Sequence, residues 1–172
     1  MNAQKLATMW DHMRQVHGIG IRVLEAIPAD KIDARPIPNM RTPKELVVHM
    51  YAMTFREISE GTLRGKITTL DEKALVESIK THAELVQFAK DQWKAADKAI
   101  SQMTDTHLTN TVSTPWNFEA PGSVMLEIIQ DEYLHHRGQL YAFVRALGND
   151  VPMMWDFENN APEYQPKQAA KA

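Results

Sequence analysis

Leu75, Ile79, His82, Val86, Ala89, Trp93, Ala96 and Ile100 alternate steps of four and three residues over nearly four heptads. That spacing fits a helix packed along a single seam, the geometry of a bundle. It predicts a helix from about Asp71 to about Met103, with His82 interrupting the seam as a satisfied core histidine. Three other segments share the helical period, and none shows sustained period-two alternation. In the first, Met9, Met13, Val16, Gly20, Val23 and Ile27 lie on one stripe and Pro28 closes it. Gly18 and Gly20 weaken that helix locally, yet they also permit the close approach of a neighbour.

The second helix starts at Thr42-Pro43-Lys44-Glu45, where Thr42 is a candidate N-cap, Pro43 the first helical residue and Glu45 the partner of a capping box. It should run to about Gly61. The fourth begins near Pro121 and ends at Gly148. Thr104 to Ala120 is polar and reads as a long crossover or surface loop, with Trp116 and Phe118 either at a pocket mouth or folded onto the bundle. The expected fold is therefore all-α, a four-helix bundle with a long crossover connection. It should occupy residues 1–155, followed by a partly disordered tail, 156–172, whose last ten residues look unstructured. The apolar cluster Val151, Met153, Met154, Trp155 and Phe157 should pack on the bundle or on an adjacent subunit.

Composition removes several functions. With no cysteine, the chain has no disulfide, thiolate metal ligand or cysteine nucleophile, so a reactive thiol must arrive with a substrate. A formal net charge of -3 without a Lys/Arg run argues against nucleic acid or a membrane surface as partner. No stretch approaches the ~20 apolar residues of a bilayer span, so a soluble, cytoplasmic protein is the expectation. The ten methionines most simply supply adaptable core filling.

The chemistry concentrates in Asp131-Glu132-Tyr133-Leu134-His135-His136-Arg137-Gly138-Gln139-Leu140. With Val124 set at 0°, Glu132 falls near 80° and His136 near 120° on a helical wheel, inside the stripe of Met125, Ile128, Ile129, Leu140, Phe143 and Leu147. A carboxylate on a buried face needs a partner. His136 alone could be that partner in a buried ion pair, and a divalent metal shared with His136 would also serve. Asp131 and His135 have the same spacing at the margin of the stripe. Gln139, one turn beyond His136, could fix an imidazole tautomer. His49 reads as a boundary histidine by periodicity, and His12 and His17 as surface or packing residues.

Three strings together resemble the DinB-like (YfiT-like) metal-binding bundles: Met40-Arg41-Thr42-Pro43-Lys44-Glu45-Leu46-Val47-Val48-His49, His135-His136-Arg137-Gly138-Gln139-Leu140-Tyr141, and Arg145-Ala146-Leu147-Gly148 with Val151-Pro152. The resemblance covers roughly residues 1 to 155. It implies a four-helix bundle, often a homodimer, that holds a divalent metal (Zn, Ni, Fe or Mn) through one His on helix two and two His on helix four. Carried onto this chain, the ligands are His49, Glu132 and His136. Glu132 stands where the common pattern has His, which keeps a three-ligand set but alters its charge and metal preference.

Three protein ligands leave coordination positions open, as catalytic sites do. The resemblance thus implies a metal-dependent transferase using a low-molecular-weight thiol, or a hydrolase, acting on a small electrophile. The other implied reading is a non-catalytic, stress-related dimeric bundle with a structural or vestigial metal site.

Overall fold

Asn2 caps the first helix, its side chain accepting from Lys5 N at 2.9 Å, and α1 (Ala3–Glu25) then runs almost to Pro28. In this computed structural model, which describes residues 1–167, the second rod starts as the sequence predicts. Thr42 Oγ1 accepts from Glu45 N at 3.1 Å, and Glu45 Oε2 accepts from Thr42 N at 2.7 Å. These bonds satisfy donors that the first turn of α2 (Pro43–Val48) would otherwise leave bare. The rod continues through a π-helical segment, His49–Glu57, into α3 (Ile58–Arg64), and Gly65 ends it in a left-handed conformation with φ 78°.

The third segment departs from the single long helix that its seam suggests. It is broken into α4 (Glu72–Ser78) and α5 (His82–Ser101), with Ile79 extended at φ -88° and ψ 121°. A second capping box causes the restart. Thr81 Oγ1 accepts from Glu84 N at 3.2 Å, while Glu84 Oε2 accepts from Thr81 N at 3.1 Å. The true seam of α5 is Leu85, Ala89, Trp93, Ala96 and Ile100, all buried. His82 stands at its first turn, half-buried, with Nε2 donating to Leu24 O at 2.9 Å, so it is satisfied and is not a member of the seam.

The crossover is also more ordered than expected. It holds α6 (Asp105–Thr109) and a small antiparallel hairpin of β1 (Thr111–Ser113) and β2 (Glu119–Pro121), in which Val112 faces Ala120. Strands of three residues are too short to show alternation in sequence. Trp116 and Phe118 sit between them, both exposed, with ring centroids 6.2 Å apart. Then α7 (Gly122–Ala146) crosses the molecule.

α1, the α2–π–α3 rod, α5 and α7 pack against one another as an all-α bundle. At its centre Trp10 stacks on Trp93 at 5.0 Å, and Phe55 meets Trp93 edge-on at 4.9 Å. Gly20 earns its place by a close approach. A Cβ there would lie 2.0 Å from Tyr133 Oη on α7. No helix among the described residues is long and apolar enough to cross a membrane.

The stretch after 155 folds back along α1. Arg22 donates to Asp156 O at 2.9 Å and to Asp156 Oδ2 at 2.5 Å, and Asn160 Nδ2 donates to Gln15 O at 2.8 Å. Tyr164 is buried, its ring 4.8 Å from His17. Residues 163–167 are thus held by the bundle where sequence composition suggests disorder, and 168–172 lie outside the described residues. Of the tail's apolar cluster, Val151 and Phe157 pack against the core, whereas Met153, Met154 and Trp155 are exposed.

His17 is a fully buried member of this core, stacked on Trp93 at 4.2 Å, while His12 is exposed. Burial holds the His17 imidazole well below its ordinary 6.5, the nearby Arg14 adds to the effect, and Asp97 opposes it. The folded state keeps this ring neutral, while the unfolded chain takes up a proton near the ordinary value. Stability should therefore be complete above about pH 6.5 and fall as the pH drops below it, by at most about 1.4 kcal/mol per unit from this group. Urea melts of wild type and His17→Phe at neutral and mildly acidic pH would check this. The variant should lose part of the acid sensitivity, and an unchanged difference between the two pH values would refute it.

Candidate metal centre

The site is assembled from three helices, and the backbone of each explains its contribution. His49 is the first residue of the π-helical segment, where the wider turn changes the phase of the rod. Such turns inside α-helices often sit at functional positions. Periodicity computed at 3.6 residues per turn places His49 at a boundary. The structure leaves it half-buried and aimed at α7, its ring centroid 5.0 Å from that of His136.

On α7, Glu132 and His136 are one turn apart, with Glu132 Oε2 3.2 Å from His136 Nε2. One donor atom from each of His49, Glu132 and His136 can be chosen so that all lie within 4.8 Å of one another. The wheel argument needs one correction. The His136 side chain is 7% exposed, but that of Glu132 is 46% exposed, so the carboxylate lies at the rim of the apolar stripe. Burial therefore does not force a partner on Glu132. Its proximity to two imidazoles is what makes it notable.

Neighbouring groups fix the orientation of both imidazoles. His136 Nδ1 donates to Gln139 Oε1 at 2.9 Å, and Gln139 Nε2 in turn donates to His135 Nε2 at 3.0 Å. Burial holds the His136 imidazole below its ordinary range; the Gln139 bond pulls the other way, and His49 reinforces the lowering. A neutral His136 with its proton on Nδ1 presents the Nε2 lone pair to the carboxylate of Glu132. Two electron-rich atoms 3.2 Å apart suit a cation shared between them.

His49 is set in the same way. Its Nδ1 donates to Glu72 Oε1 at 2.9 Å, which leaves Nε2 as the nitrogen that could hold a metal. This bond holds the Glu72 carboxyl below its usual range, against the opposing effect of partial burial. A carboxylate behind a ligating imidazole raises its basicity and locks its tautomer. Glu72 was missed in the sequence because the supposed continuous helix hid the break after Ser78. α4 packs on α2 as a separate piece, and that brings Glu72 to His49. Asp131 and His135 are exposed, and only His135 touches the cluster, through Gln139.

If Glu72 orients a ligand, Glu72→Ala should weaken divalent-metal affinity by roughly 10–100-fold. Its side chain is 29% exposed, so the fold should tolerate the change. A titration against a chromophoric chelator measures this directly, and an unchanged dissociation constant would remove Glu72 from the site.

The chain matches the DinB family over residues 1–168. It belongs to the DinB family. YjoA of Bacillus subtilis (strain 168) is 21% identical over 140 residues, covering 80% of this chain and 88% of that protein. The crystal structure of that DinB-like protein superimposes with a TM-score of 0.69 at 18% identity, covering 95% of this chain and 99% of the other. At that identity the likeness establishes a common DinB fold. The family match extends through the tail segment that lies along α1, beyond the residue-155 boundary suggested by the sequence strings.

Proposed function

We propose that this DinB-family protein is a divalent-metal-dependent enzyme that joins a low-molecular-weight thiol to a small electrophile, or hydrolyses one, with His49, Glu132 and His136 as the metal ligands. The observation carrying the proposal is the pair of imidazoles whose Nδ1 atoms are engaged by Glu72 and Gln139, with His136 Nε2 3.2 Å from the Glu132 carboxylate and one donor atom from each of the three residues within 4.8 Å of the others. The donor set, two imidazoles and one carboxylate, fits zinc, nickel, iron or manganese. When bound, such an ion supplies Lewis acidity toward a thiol sulfur or a carbonyl oxygen.

The chain's own residues do the rest. Glu72 and Gln139 hold the rings in place, and the buried side of His136 against the bundle keeps the site rigid on the core side. The partial exposure of Glu132 leaves the opposite side open to small molecules. That openness favours an enzyme over the other reading, a non-catalytic bundle with a structural site, since structural sites are closed by protein ligands. The absence of cysteine requires the thiol to come from a cosubstrate.

Protein purified without chelators should carry about one divalent ion per chain, because the three donors form a single facial set. Elemental analysis tests this, followed by a panel of small thiols with an activated alkyl halide, assayed with and without the metal. No metal together with no thermal shift on adding zinc, nickel or manganese would sink the metal assignment. A loaded protein inactive across the panel would sink the thiol-transfer reading.

A further inference from the structure

The face of α7 opposite the metal centre carries a second, chemically different cleft. Leu134, Arg137, Gly138, Tyr141 and Arg145 recur at helical spacing about 180° around the helix from Glu132 and His136. They line an open cleft of about 530 Å³ whose other wall is Val151, Pro152, Met153 and Met154. This size is in the range of small-molecule sites.

Two of the lining residues carry polar atoms that lack partners. Arg137 is 8% exposed, and its Nη1 and the Oη of Tyr141 are buried without a hydrogen bond among the described residues. Two guanidiniums flank the tyrosine, with the Arg137 and Arg145 Cζ atoms 6.0 Å and 5.5 Å from its ring centroid. Neither arginine forms an ion pair with a carboxylate among the described residues. Nearby Arg22 shows the contrast, since Asp156 neutralises it at 2.5 Å. A nearly buried guanidinium without a counter-charge is costly, and an anion that accepts from its planar fork removes the cost.

The wall also shapes the choice of anion. Met153 and Met154 are 69% and 45% exposed, and methionine is an adaptable apolar contact. We propose that this cleft binds a small organic carboxylate, its head group on Arg137 and Tyr141 with Arg145 at the rim, and its apolar body against Val151, Met153 and Met154. An inorganic anion would satisfy the arginines but leave the methionine wall uncovered.

Hexanoate, hexanol and inorganic phosphate separate these contributions. In methionine-methyl NMR spectra of the full chain, with Met153 and Met154 assigned through their Leu variants, hexanoate should give saturable shifts at both methyls. Hexanol and phosphate should bind at least about tenfold more weakly, because each lacks one half of the match. Arg137→Met should reduce hexanoate affinity at least about tenfold while leaving metal loading unchanged. The exposed Arg145→Ala should reduce it severalfold, and this variant carries the test if Arg137→Met fails to fold. The proposal is overturned by no saturable shift with hexanoate, by hexanol or phosphate binding as tightly, or by hexanoate affinity unchanged in the arginine variants. It is also overturned if light scattering shows a dimer and the methyl shifts follow protein concentration instead of hexanoate, which would assign the cleft to a second copy of the chain.

Discussion

Replacing His136 with alanine is expected to abolish high-affinity metal binding, and Glu132→Ala and His49→Ala should each come close to doing so. The expected losses exceed the roughly 10–100-fold associated with an outer residue such as Glu72. The reason is geometric. His136 Nε2 faces Glu132 Oε2 at 3.2 Å and its ring lies 5.0 Å from that of His49, so it adjoins both other donors. Asp131→Ala should leave affinity unchanged, since Asp131 is exposed and is not among the clustered donors. His135→Ala should have at most a modest effect, because it only releases one end of Gln139. Glu132→His would give a set of three imidazoles and raise the net charge by one with the rings neutral, which should retain zinc or nickel. The measurement is the dissociation constant of each variant by competition with a chelator. If Asp131→Ala or His135→Ala costs more than Glu132→Ala, the wrong face of α7 has been assigned.

The sequence made the helices and the Glu132–His136 proximity of the candidate site legible because both depend on local spacing. Periods of three and four residues identify the buried stripe of α7, and Thr42-Pro43-Lys44-Glu45 marks the start of α2 at the residue where the structure begins it. His49 was different. Spacing marks it only as a boundary position, which the half-buried ring does occupy, and a boundary histidine by itself signals no ligand. Only resemblance to a family pattern selected it.

The break between α4 and α5 did have a local signal. Thr81-His82-Ala83-Glu84 is a capping box, the same motif as Thr42-Pro43-Lys44-Glu45, although the apolar alternation runs on through Ile79 and His82. The motif prevailed because it satisfies two backbone donors at once, whereas the alternation gains nothing from an Ile79 that can bury itself equally well in an extended conformation. Residues 163–167 differ from the expected disorder for another reason. Composition measures whether a segment can form its own core, and residues 156–167 instead borrow one, with Tyr164 filling the space that Gly18 leaves on α1.

The second large effect expected is on stability, where the tip of Tyr133 on α7 meets Gly20 on α1. Gly20→Ala adds a methyl group that would sit 2.0 Å from Tyr133 Oη and 3.2 Å from Tyr133 Cζ. Tyr133 is fully buried, its ring 4.5 Å from that of Phe55, so it has little room to withdraw. Forcing an extra carbon into a packed core typically costs about 1–3 kcal/mol. Helix propensity acts in the opposite direction, since alanine in a helix interior is favoured over glycine by about 1 kcal/mol. The clash should win in the wild-type background. In Tyr133→Phe the hydroxyl is gone and the nearest atom recedes to about 3.2 Å, a contact that a small shift can relieve. There the same Gly20→Ala change should become nearly neutral or stabilising. Urea denaturation of the two single variants and the double variant closes the cycle. A coupling energy near zero would mean that the hydroxyl is not what keeps position 20 a glycine, and the close approach of α1 and α7 would need another cause.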